Sequence, residues 1–340
     1  MSSERLWVRL PNWLGDVLMA RPALHALRAS LPAARIRVTG PAPFLDLLHA
    51  ERRFDEAAAW PADAVGQRVH LRELQAFDPD VALVLPPSFS SASLARSSGA
   101  PRRIGFRGEW RSALLTDALA RPGRGELHLG AEYLALVDRL IGAGEAEPVP
   151  DRRLALPALP VSAQSLAAAR TVRSTLGRED VPLALLAPGA RYGPAKRWHP
   201  ARYAELGRRL RSRGYGVAVC GAPEEREVCE TVANAAGAGT KTLAGETTLD
   251  QLAGLCALAA LTVSNDSGFA HLSAAVGART LVLFGSTSSA WTAPPGPRVQ
   301  VLQHAPVCSP CFQRTCRIGY ACLEAIAVDE VEAACLAGAA

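Results

Sequence analysis

The sequence predicts an α/β protein made of two doubly wound domains. Short apolar runs of strand length alternate with amphipathic segments at helical spacing, and this order is typical of parallel sheets covered by helices. Residues 261–285 show one complete unit, because an apolar run, a polar turn, a helical segment and a second apolar run follow one another. A proline-rich stretch at 142–160 interrupts the pattern and predicts a linker. We therefore expect an N-terminal domain over 1–157 and a C-terminal domain over 158–340.

In the N-terminal half, the first apolar run predicts a strand at 5–10, and a helix follows it from Asp16 to about residue 30. No G-x-G-x-x-G fingerprint follows this strand, which counts against an NAD-dependent enzyme. The other elements predicted here are strands at 34–39 and 81–85, a helix and a strand within 42–60, a polar loop at 86–91, and helices at 71–77 and 132–141.

The C-terminal half repeats the alternation. Thr248 and Gln251 form a capping-box pattern, which predicts the start of a helix. The other elements predicted here, besides the unit at 261–285, are strands at 183–187 and 216–220 and helices at 162–175, 200–213, 223–236 and 328–337.

The composition is that of a globular chain with a mild positive charge. Of the 340 residues, 49% are hydrophobic and 20% are charged, which excludes a disordered chain. The formal net charge of +5 suits an anionic substrate or an acidic membrane surface and is too small for a dedicated nucleic-acid binder. The N-terminus lacks the apolar core of a signal peptide, and no window reaches the roughly 18 apolar residues of a membrane span, so we expect a cytoplasmic protein.

Charged residues follow predicted strands, at the edge where parallel sheets bind ligands. Asp266, Ser267 and Gly268 form the turn before a helix, whose N-terminus attracts anions. Lys196 lies in the loop after the first strand of the C-terminal domain, and Asp16 begins the first helix. Each has a plainer structural interpretation: a helix cap for the turn, surface charge for Lys196 and an offset of the helix dipole for Asp16. Together they predict a site for a phosphorylated or nucleotide-linked sugar.

Two further groups of residues are singled out by their spacing. Arg103 and Arg107 belong to an arginine-rich stretch at 96–111, which suits bidentate contacts to phosphate or carboxylate, with a solvated basic face as the alternative. The C-x2-C-x4-C-x5-C pattern near the C-terminus suggests a structural zinc site, but it lacks a second C-x2-C and a histidine at zinc-finger spacing. Reduced thiols are therefore the interpretation that we favour for these four residues, Cys308, Cys311, Cys316 and Cys322.

Five segments spanning nearly the whole chain carry a family resemblance. They are LPNWLGDVLM at 10–19, PRRIGFRGEWR at 101–111, PGARYGPAKRW at 188–198, LAGETTLDQ at 243–251 and SNDSGFAHLSAA at 264–275. With them the chain resembles the ADP-heptose:lipopolysaccharide heptosyltransferases of glycosyltransferase family 9, and most closely their heptosyltransferase II branch. The GPAKRW and NDSG-x-x-H blocks are the specific part of this pattern.

The resemblance implies a GT-B fold, with two Rossmann-like domains that face a central cleft. It implies inverting, metal-independent transfer of L-glycero-D-manno-heptose from ADP-heptose to a heptose of the lipopolysaccharide inner core. The acceptor, a phosphorylated lipid-linked oligosaccharide, would bind the N-terminal domain, and the last helix would pack back across that domain. We expect peripheral contact with the inner face of the inner membrane, no required cofactor and no nucleic-acid partner.

The resemblance also implies roles for individual residues. Asp16 would be the general base, and Lys196 would balance charge on the departing ADP. We expect Arg103 and Arg107 to contact the acceptor, because it is anionic. The residues expected to bind the donor are Asp266, Ser267, Gly268 and His271 at the heptose and diphosphate, Glu225 at the ribose, and Thr247 and Thr248 near the adenine. For His271 the alternative is a hydrogen-bonded packing residue in an apolar helix.

Three other functions remain open at this point. One is another family 9 enzyme, such as heptosyltransferase I or one that uses a different sugar nucleotide. A second is a nucleotide-sugar epimerase, which would act on the donor alone. The third is a catalytically silent sugar-nucleotide-binding protein, which would bind the donor without transfer.

Overall fold

The computed structural model describes residues 4–108, 110–142, 154–176 and 180–337. The chain forms two compact units, Met1–Leu156 and Pro157–Ala340. Most of the predicted linker lies outside the described residues, which omit 143–153. Among the helices of the described ranges, none has the length and apolar character that a membrane span needs.

The N-terminal unit is built on one sheet of six parallel strands. The strands are β1 (Arg5–Arg9), β2 (Arg35–Gly40), β3 (Glu56–Ala59), β4 (Val81–Val84), β5 (Arg102–Phe106) and β6 (Asp117–Leu119), in the order β3-β2-β1-β4-β5-β6. The helices are α1 (Leu14–Met19), α2 (Arg21–Ser30), α3 (Ala42–His49), α4 (Ala64–Phe77), α5 (Phe89–Ser97) and α6 (Leu129–Ile141). The central strand β1 is almost wholly buried, as a strand covered on both faces must be.

The first predicted helix, residues 16–30, is two helices in the structure. α1 ends at Met19 and α2 begins at Arg21, with Pro22 in its first turn. Because proline has no amide hydrogen, Pro22 cannot continue the hydrogen-bond ladder of α1. The division therefore follows from the sequence, although we did not predict it.

One other prediction for this unit is wrong in part, and one strand was not predicted. The polar loop predicted at 86–91 contains the start of α5, where the Ser88 side chain accepts a hydrogen bond from the Ser91 amide. The arginine-rich stretch contains the unpredicted strand β5, in which Ile104 and Phe106 are buried. The strand begins with two arginines, so its few apolar residues did not form a run long enough to predict a strand.

The C-terminal unit is built on a second sheet of six parallel strands. The strands are β7 (Leu183–Ala187), β8 (Gly216–Val219), β9 (Lys241–Thr242), β10 (Leu261–Asn265), β11 (Thr280–Phe284) and β12 (Val299–Gln303), in the order β12-β11-β10-β7-β8-β9. The helices are α7 (Ala163–Ser174), α8 (Pro200–Ser212), α9 (Arg226–Ala236), α10 (Leu249–Leu258), α11 (Gly268–Ala275), α12 (Ser289–Thr292), α13 (Ala321–Glu324) and α14 (Val328–Leu336). The strand-helix-strand unit predicted at 261–285 is β10, α11 and β11.

Both sheets have the same topology. In each, the first strand of the unit lies between the second and the fourth, which is the order of a doubly wound Rossmann-like sheet. The direction of strand order reverses between β1 and β4 in one unit and between β7 and β10 in the other. Ligands of such sheets bind beyond the carboxyl ends of the strands at this switch point.

The last helix, α14, packs within its own unit. Its buried residues Val331, Ala334 and Cys335 belong to the core of the C-terminal unit. Arg209 of α8 also forms ion pairs with Asp329 at 2.5 Å and with Glu332 at 3.0 Å of α14. Its apolar face packs on the sheet and helices of the C-terminal unit, and its packing across the N-terminal domain stays a prediction from the resemblance.

Candidate active site

The loops that follow β7 and β10 meet at the switch point of the C-terminal sheet. Lys196 lies in a short 3₁₀ turn of the first loop, and Asp266 directly follows β10. The Lys196 Nζ atom donates a hydrogen bond to Asp266 Oδ2 at 2.5 Å. The two side chains are 13% and 3% exposed, so this ion pair is largely shielded from water. The structure thus places Lys196, expected at the departing ADP, in direct contact with Asp266, expected at the donor sugar and diphosphate.

A third loop contributes a residue that we did not predict. Thr287 follows β11, is 4% exposed and donates its hydroxyl hydrogen to the same Asp266 Oδ2 at 2.6 Å. Gln303 of β12 donates to the Thr287 carbonyl at 2.9 Å and accepts a hydrogen bond from Ser289 at 2.6 Å. The second carboxylate oxygen, Asp266 Oδ1, accepts no hydrogen bond from the described residues, so it can accept one from a ligand hydroxyl. The sequence offered one signal for Thr287: it is a polar residue that follows a buried strand closely, at the edge where ligands bind.

Asn265 holds the first two loops together. Its Oδ1 accepts hydrogen bonds from the Trp198 amide at 3.0 Å and from the Tyr203 hydroxyl at 3.1 Å. Its Nδ2 donates to the carbonyls of Pro188 at 2.7 Å and Gly189 at 3.2 Å. Burial raises the pKa of Tyr203 well above its ordinary value, which keeps this donor protonated. A buried amide with all its hydrogen bonds made is a structural residue, and it fixes the distance between the two loops.

The N-terminus of α11 faces the same edge of the sheet. Ser267 is the cap residue and Gly268 the first helical residue, and the Ser267 side chain makes no capping hydrogen bond. Its hydroxyl lies 3.1 Å from that of Ser264. Amide groups in this first turn can therefore bind an anion. His271 lies one turn further along and is buried in the helix.

Glu225 lies beyond the end of β8, against the end of β7. Its Oε2 atom accepts a hydrogen bond from the Ala222 amide at 3.0 Å. A Cβ atom added at Gly189 would lie 2.1 Å from the Glu225 carboxyl carbon, so glycine is what allows the carboxylate to lie there. This places Glu225 at the same edge of the sheet as Asp266.

The Thr247–Thr248 pair lies in the loop after β9, also at this edge. The Thr248 hydroxyl accepts a hydrogen bond from the Gln251 amide at 3.2 Å, and Gln251 Oε1 accepts one from the Thr248 amide at 2.9 Å. The capping box predicted from the sequence is therefore present. Thr248 has a structural role in the helix start, and Thr247 is half-buried beside it.

In the N-terminal unit, Asp16 lies at the switch point of the sheet. It belongs to the first turn of α1, directly after the loop that follows β1, and is half-buried. Burial raises the pKa of the Tyr133 hydroxyl well above its ordinary value, and the negative charge of Asp16 adds to this shift. The pair places a neutral phenol near the carboxylate expected to act as the base.

Arg9 also lies at this switch point, and the sequence analysis did not predict a role for it. It ends β1, is 4% exposed, and donates from Nη2 to Asn12 Oδ1 at 2.7 Å and from Nη1 to the Thr39 carbonyl at 3.3 Å. Its guanidinium lies 5.2 Å from the centre of the Trp60 ring. No carboxylate in the described part of the chain pairs with it, and burial lowers its pKa to about 10. It fixes the loop that leads to Asp16.

The structure separates the two arginines expected to bind the acceptor. Arg107 directly follows β5 and therefore lies at the edge of the sheet where Asp16 lies, with its guanidinium on the Ala118 carbonyl at 3.1 and 3.2 Å. Arg103 is the second residue of β5 and pairs with the second residue of β4, near the opposite edge. Its guanidinium donates to neighbouring backbone carbonyls at 2.6 and 2.8 Å. Only Arg107 is thus brought to the edge that carries Asp16.

The cysteines of the C-terminal segment are free thiols. Cys308 is exposed, Cys311 and Cys316 are half-buried, and Cys322 is buried. The Cys316 sulfur accepts hydrogen bonds from two backbone amides of the turn that follows it. Within the described ranges, no three metal-ligating side chains are grouped so that they could hold a metal ion. The possible structural zinc site therefore stays a prediction from the cysteine spacing.

Two Rossmann-like units, each with charged loops at its switch point, match the GT-B fold that the family resemblance implies. A model of glycosyltransferase family 9 (heptosyltransferase) matches residues 68–321. The lipopolysaccharide heptosyltransferase 2 of Escherichia coli is 33% identical over 302 residues, and that of Salmonella typhimurium is 34% identical over 306, with 86% of each chain covered in both comparisons. The chain belongs to glycosyltransferase family 9, which confirms the resemblance seen in the sequence.

Solved structures agree with this assignment. The structure of Escherichia coli ADP-heptose lps heptosyltransferase II matches with a TM-score of 0.82 and 30% identity, over 99% of this chain and 100% of that one. A family 9 glycosyltransferase from Veillonella parvula matches with a TM-score of 0.80 at 21% identity and shares the fold. The predicted GT-B fold class is thereby confirmed.

Proposed function

We propose that this protein is a heptosyltransferase II, which transfers heptose from ADP-heptose to a heptose of the lipopolysaccharide inner core with inversion at the anomeric carbon. Its relatives named heptosyltransferase 2 cover most of the chain. The observation that carries the proposal is the contact of Lys196 and Thr287 with one oxygen of Asp266 at the switch point of the C-terminal sheet. A cation, a carboxylate and a helix N-terminus in one place suit a diphosphate joined to a sugar.

In the proposed donor site, the free Oδ1 of Asp266 accepts a hydrogen bond from a heptose hydroxyl. The amides at Ser267 and Gly268 and the Lys196 ammonium bind the diphosphate, and His271 helps to hold the heptose and diphosphate. Glu225 accepts hydrogen bonds from the ribose hydroxyls, while Thr247 and Thr248 lie near the adenine. Support for these assignments comes from the segments that carry these residues, which all follow the carboxyl ends of strands in one sheet.

In the proposed reaction, the Asp16 carboxylate removes the proton from the acceptor hydroxyl as its oxygen attacks the anomeric carbon. The bond from that carbon to the phosphate oxygen breaks, and its electron pair leaves with ADP. Lys196 stabilises the negative charge that develops on the departing diphosphate, so the proposal includes no catalytic metal. Attack from the face opposite the leaving group gives inversion.

The acceptor is proposed to be a phosphorylated, lipid-linked oligosaccharide bound by the N-terminal unit, with Arg107 as a contact to its anionic groups. A lipid-linked acceptor implies that the protein works in the cytoplasm at the inner face of the inner membrane, by peripheral contact. The mild positive charge of the chain is consistent with an anionic surface.

A transfer assay with ADP-heptose and two truncated acceptors tests the function. One acceptor ends at the inner Kdo sugars, and the other already bears the first heptose. We expect transfer only to the heptose-bearing acceptor, and none by the Asp16→Ala variant. Transfer to the Kdo-terminated acceptor would identify a heptosyltransferase I activity instead, while ADP binding without transfer to either acceptor would identify a silent binding protein.

A further inference from the structure

The cysteine-rich segment near the C-terminus has no role in the reaction described above, yet it packs on the loop that carries Lys196. The Tyr192 hydroxyl donates to the Phe312 carbonyl at 2.5 Å. The Ala195 amide donates to the Arg314 carbonyl at 3.0 Å, and Arg314 Nε donates to the Tyr192 carbonyl at 2.8 Å. Three hydrogen bonds in both directions thus join residues 312–314 to residues 192–195, immediately before Lys196.

The same segment also contacts the loop that carries Thr287. The Phe312 amide donates to the Ser286 carbonyl at 2.8 Å, and the Phe312 ring packs edge-on against Trp291 with their centres 5.6 Å apart. The Ser286 amide in turn donates to the Ala195 carbonyl at 3.2 Å. Residues 312–314 therefore bridge the two loops whose side chains both donate to Asp266.

The close approach of these segments requires glycine at one position in each loop. A Cβ atom at Gly193 would lie 2.5 Å from the Arg314 carbonyl oxygen, and Gly193 also has a positive φ of 153°. A Cβ atom at Gly285 would lie 2.6 Å from the Ala195 carbonyl oxygen. Contacts this close involve backbone atoms that cannot rotate away, so the three segments fix one another's positions.

The Tyr192 ring lies close to two cations. Lys196 Nζ is 5.0 Å from the ring centre, and the Arg314 guanidinium carbon is 5.7 Å from it. Both distances are within the range of cation–π attraction. Arg314 is exposed, and its hydrogen bond to the Tyr192 carbonyl holds the residue whose ring contacts Lys196.

We propose that residues 312–314 position Lys196 and Thr287 against Asp266, and that Arg314 is a positioning residue for donor binding and transfer. This inference rests on the proposed function, because it assigns Lys196 to the diphosphate of the donor. It gives the C-terminal segment a role that depends on its backbone and on Arg314, whether or not the cysteines bind a metal.

The experiment compares Arg314→Ala with Arg317→Ala. Both changes remove one exposed arginine from the same segment, and Arg317 has no hydrogen bond or ion pair with any described residue. Tyr192→Phe is the second variant, since it keeps the ring beside Lys196 and loses only the hydrogen bond to Phe312. Steady-state kinetics with the donor and the acceptor varied separately, ADP binding by calorimetry and amide hydrogen exchange are measured for each protein.

We expect Arg314→Ala and Tyr192→Phe to lower kcat/KM for the donor about tenfold, as expected for loss of one strong hydrogen bond, with the acceptor KM unchanged. Exchange at the Ala195 amide should become at least about tenfold faster, while amides of the β7 and β10 strands keep their protection. Arg317→Ala should match the wild type in every measurement.

Equal donor kinetics in Arg314→Ala and Arg317→Ala would overturn the inference, even if exchange at Ala195 differed. A wild-type protein that neither binds ADP nor transfers heptose would instead contradict the proposed function, and the exchange comparison would then decide whether the segment holds the loop.

Discussion

One oxygen atom, Asp266 Oδ2, accepts hydrogen bonds from both an ammonium group and a hydroxyl. Lys196 is the charged donor and Thr287 the neutral one, at 2.5 and 2.6 Å. If the ammonium turns toward the diphosphate of a bound donor, Asp266 Oδ2 keeps only the Thr287 hydroxyl as a hydrogen-bond donor. Because a buried polar atom without a partner is costly, we expect the Thr287 hydroxyl to hold the Asp266 carboxylate in place when Lys196 binds the diphosphate.

The first prediction concerns this hydroxyl. Thr287→Val keeps the shape of the side chain and removes its donor, so kcat/KM for ADP-heptose should fall about 10-fold to 100-fold, the range for a hydrogen bond to a charged group. Thr287→Ser keeps the donor and should stay within a few-fold of the wild type. Steady-state kinetics with the donor varied measure both. Equal rates for the valine and serine variants would show that the hydroxyl has no part in donor use.

A second prediction concerns the charge of Lys196. Lys196→Ala removes the cation from the diphosphate and should lower kcat by about 10²–10³-fold, as expected for loss of a preorganised charge partner. Asp16→Asn, in the other unit, should also lower kcat. It should keep the affinity for ADP, because it removes only the base. Calorimetry with ADP separates the two. Weaker ADP binding in Asp16→Asn than in Lys196→Ala would contradict both assignments.

At the scale of single elements, the sequence was informative where apolar runs were uninterrupted. The buried strands β7 and β10 and the capping box at Thr248 were predictable, since their patterns are local. The strand β5 was not, because Arg102 and Arg103 stand where an apolar run would begin. Its apolar residues are few, and only pairing with β4 makes them a strand.

The third prediction concerns the contact between α2 and the end of α3. Glu51 accepts hydrogen bonds from Arg21 at 2.7 and 2.9 Å and from His25 at 2.8 Å. Burial alone raises the pKa of Glu51, but His25 and Arg21 outweigh burial and lower it to about 2. The ionised carboxylate therefore stabilises the fold at pH values above its ordinary pKa of 4.5, and this contribution is lost as the pH falls from 4.5 toward 2.

Glu51→Gln should accordingly unfold at lower denaturant concentration than the wild type at pH 7, by up to about 3 kcal/mol in free energy of unfolding. The difference should shrink as the pH is lowered below 4.5. Urea unfolding followed by circular dichroism between pH 7 and pH 3 provides the measurement, and the difference between the two proteins cancels the effect of other titrating groups. A difference that stays constant over this range would exclude the predicted linkage.

At the scale of the whole molecule, the shared strand order explains which site residues could be predicted. Asp16, Lys196 and Asp266 each follow a strand beside a switch point, so the alternation of elements predicted their place at the ligand-binding edge, while their roles came only from the family resemblance. Thr287 is brought to Asp266 by the pairing of β10 with β11, and residues 312–314 reach Lys196 through a segment without regular structure. Neither contact has a local sequence signal. The residues that meet are far apart in the chain, and hydrophobic periodicity does not predict such pairs.

The fourth prediction uses the same topology to separate Arg103, within β5, from Arg107, which directly follows β5. Arg107 lies at the edge of the sheet that carries Asp16, so Arg107→Glu should raise the acceptor KM about tenfold and leave the donor KM unchanged. Arg103 lies near the opposite edge and donates to backbone carbonyls, so Arg103→Gln should lower the melting temperature without changing the acceptor KM. Kinetics with each substrate varied and a thermal unfolding curve for each variant test the pair. An equal rise of the acceptor KM in both variants would show that Arg103 also contacts the acceptor. An unchanged acceptor KM in both variants would show that neither arginine contacts it.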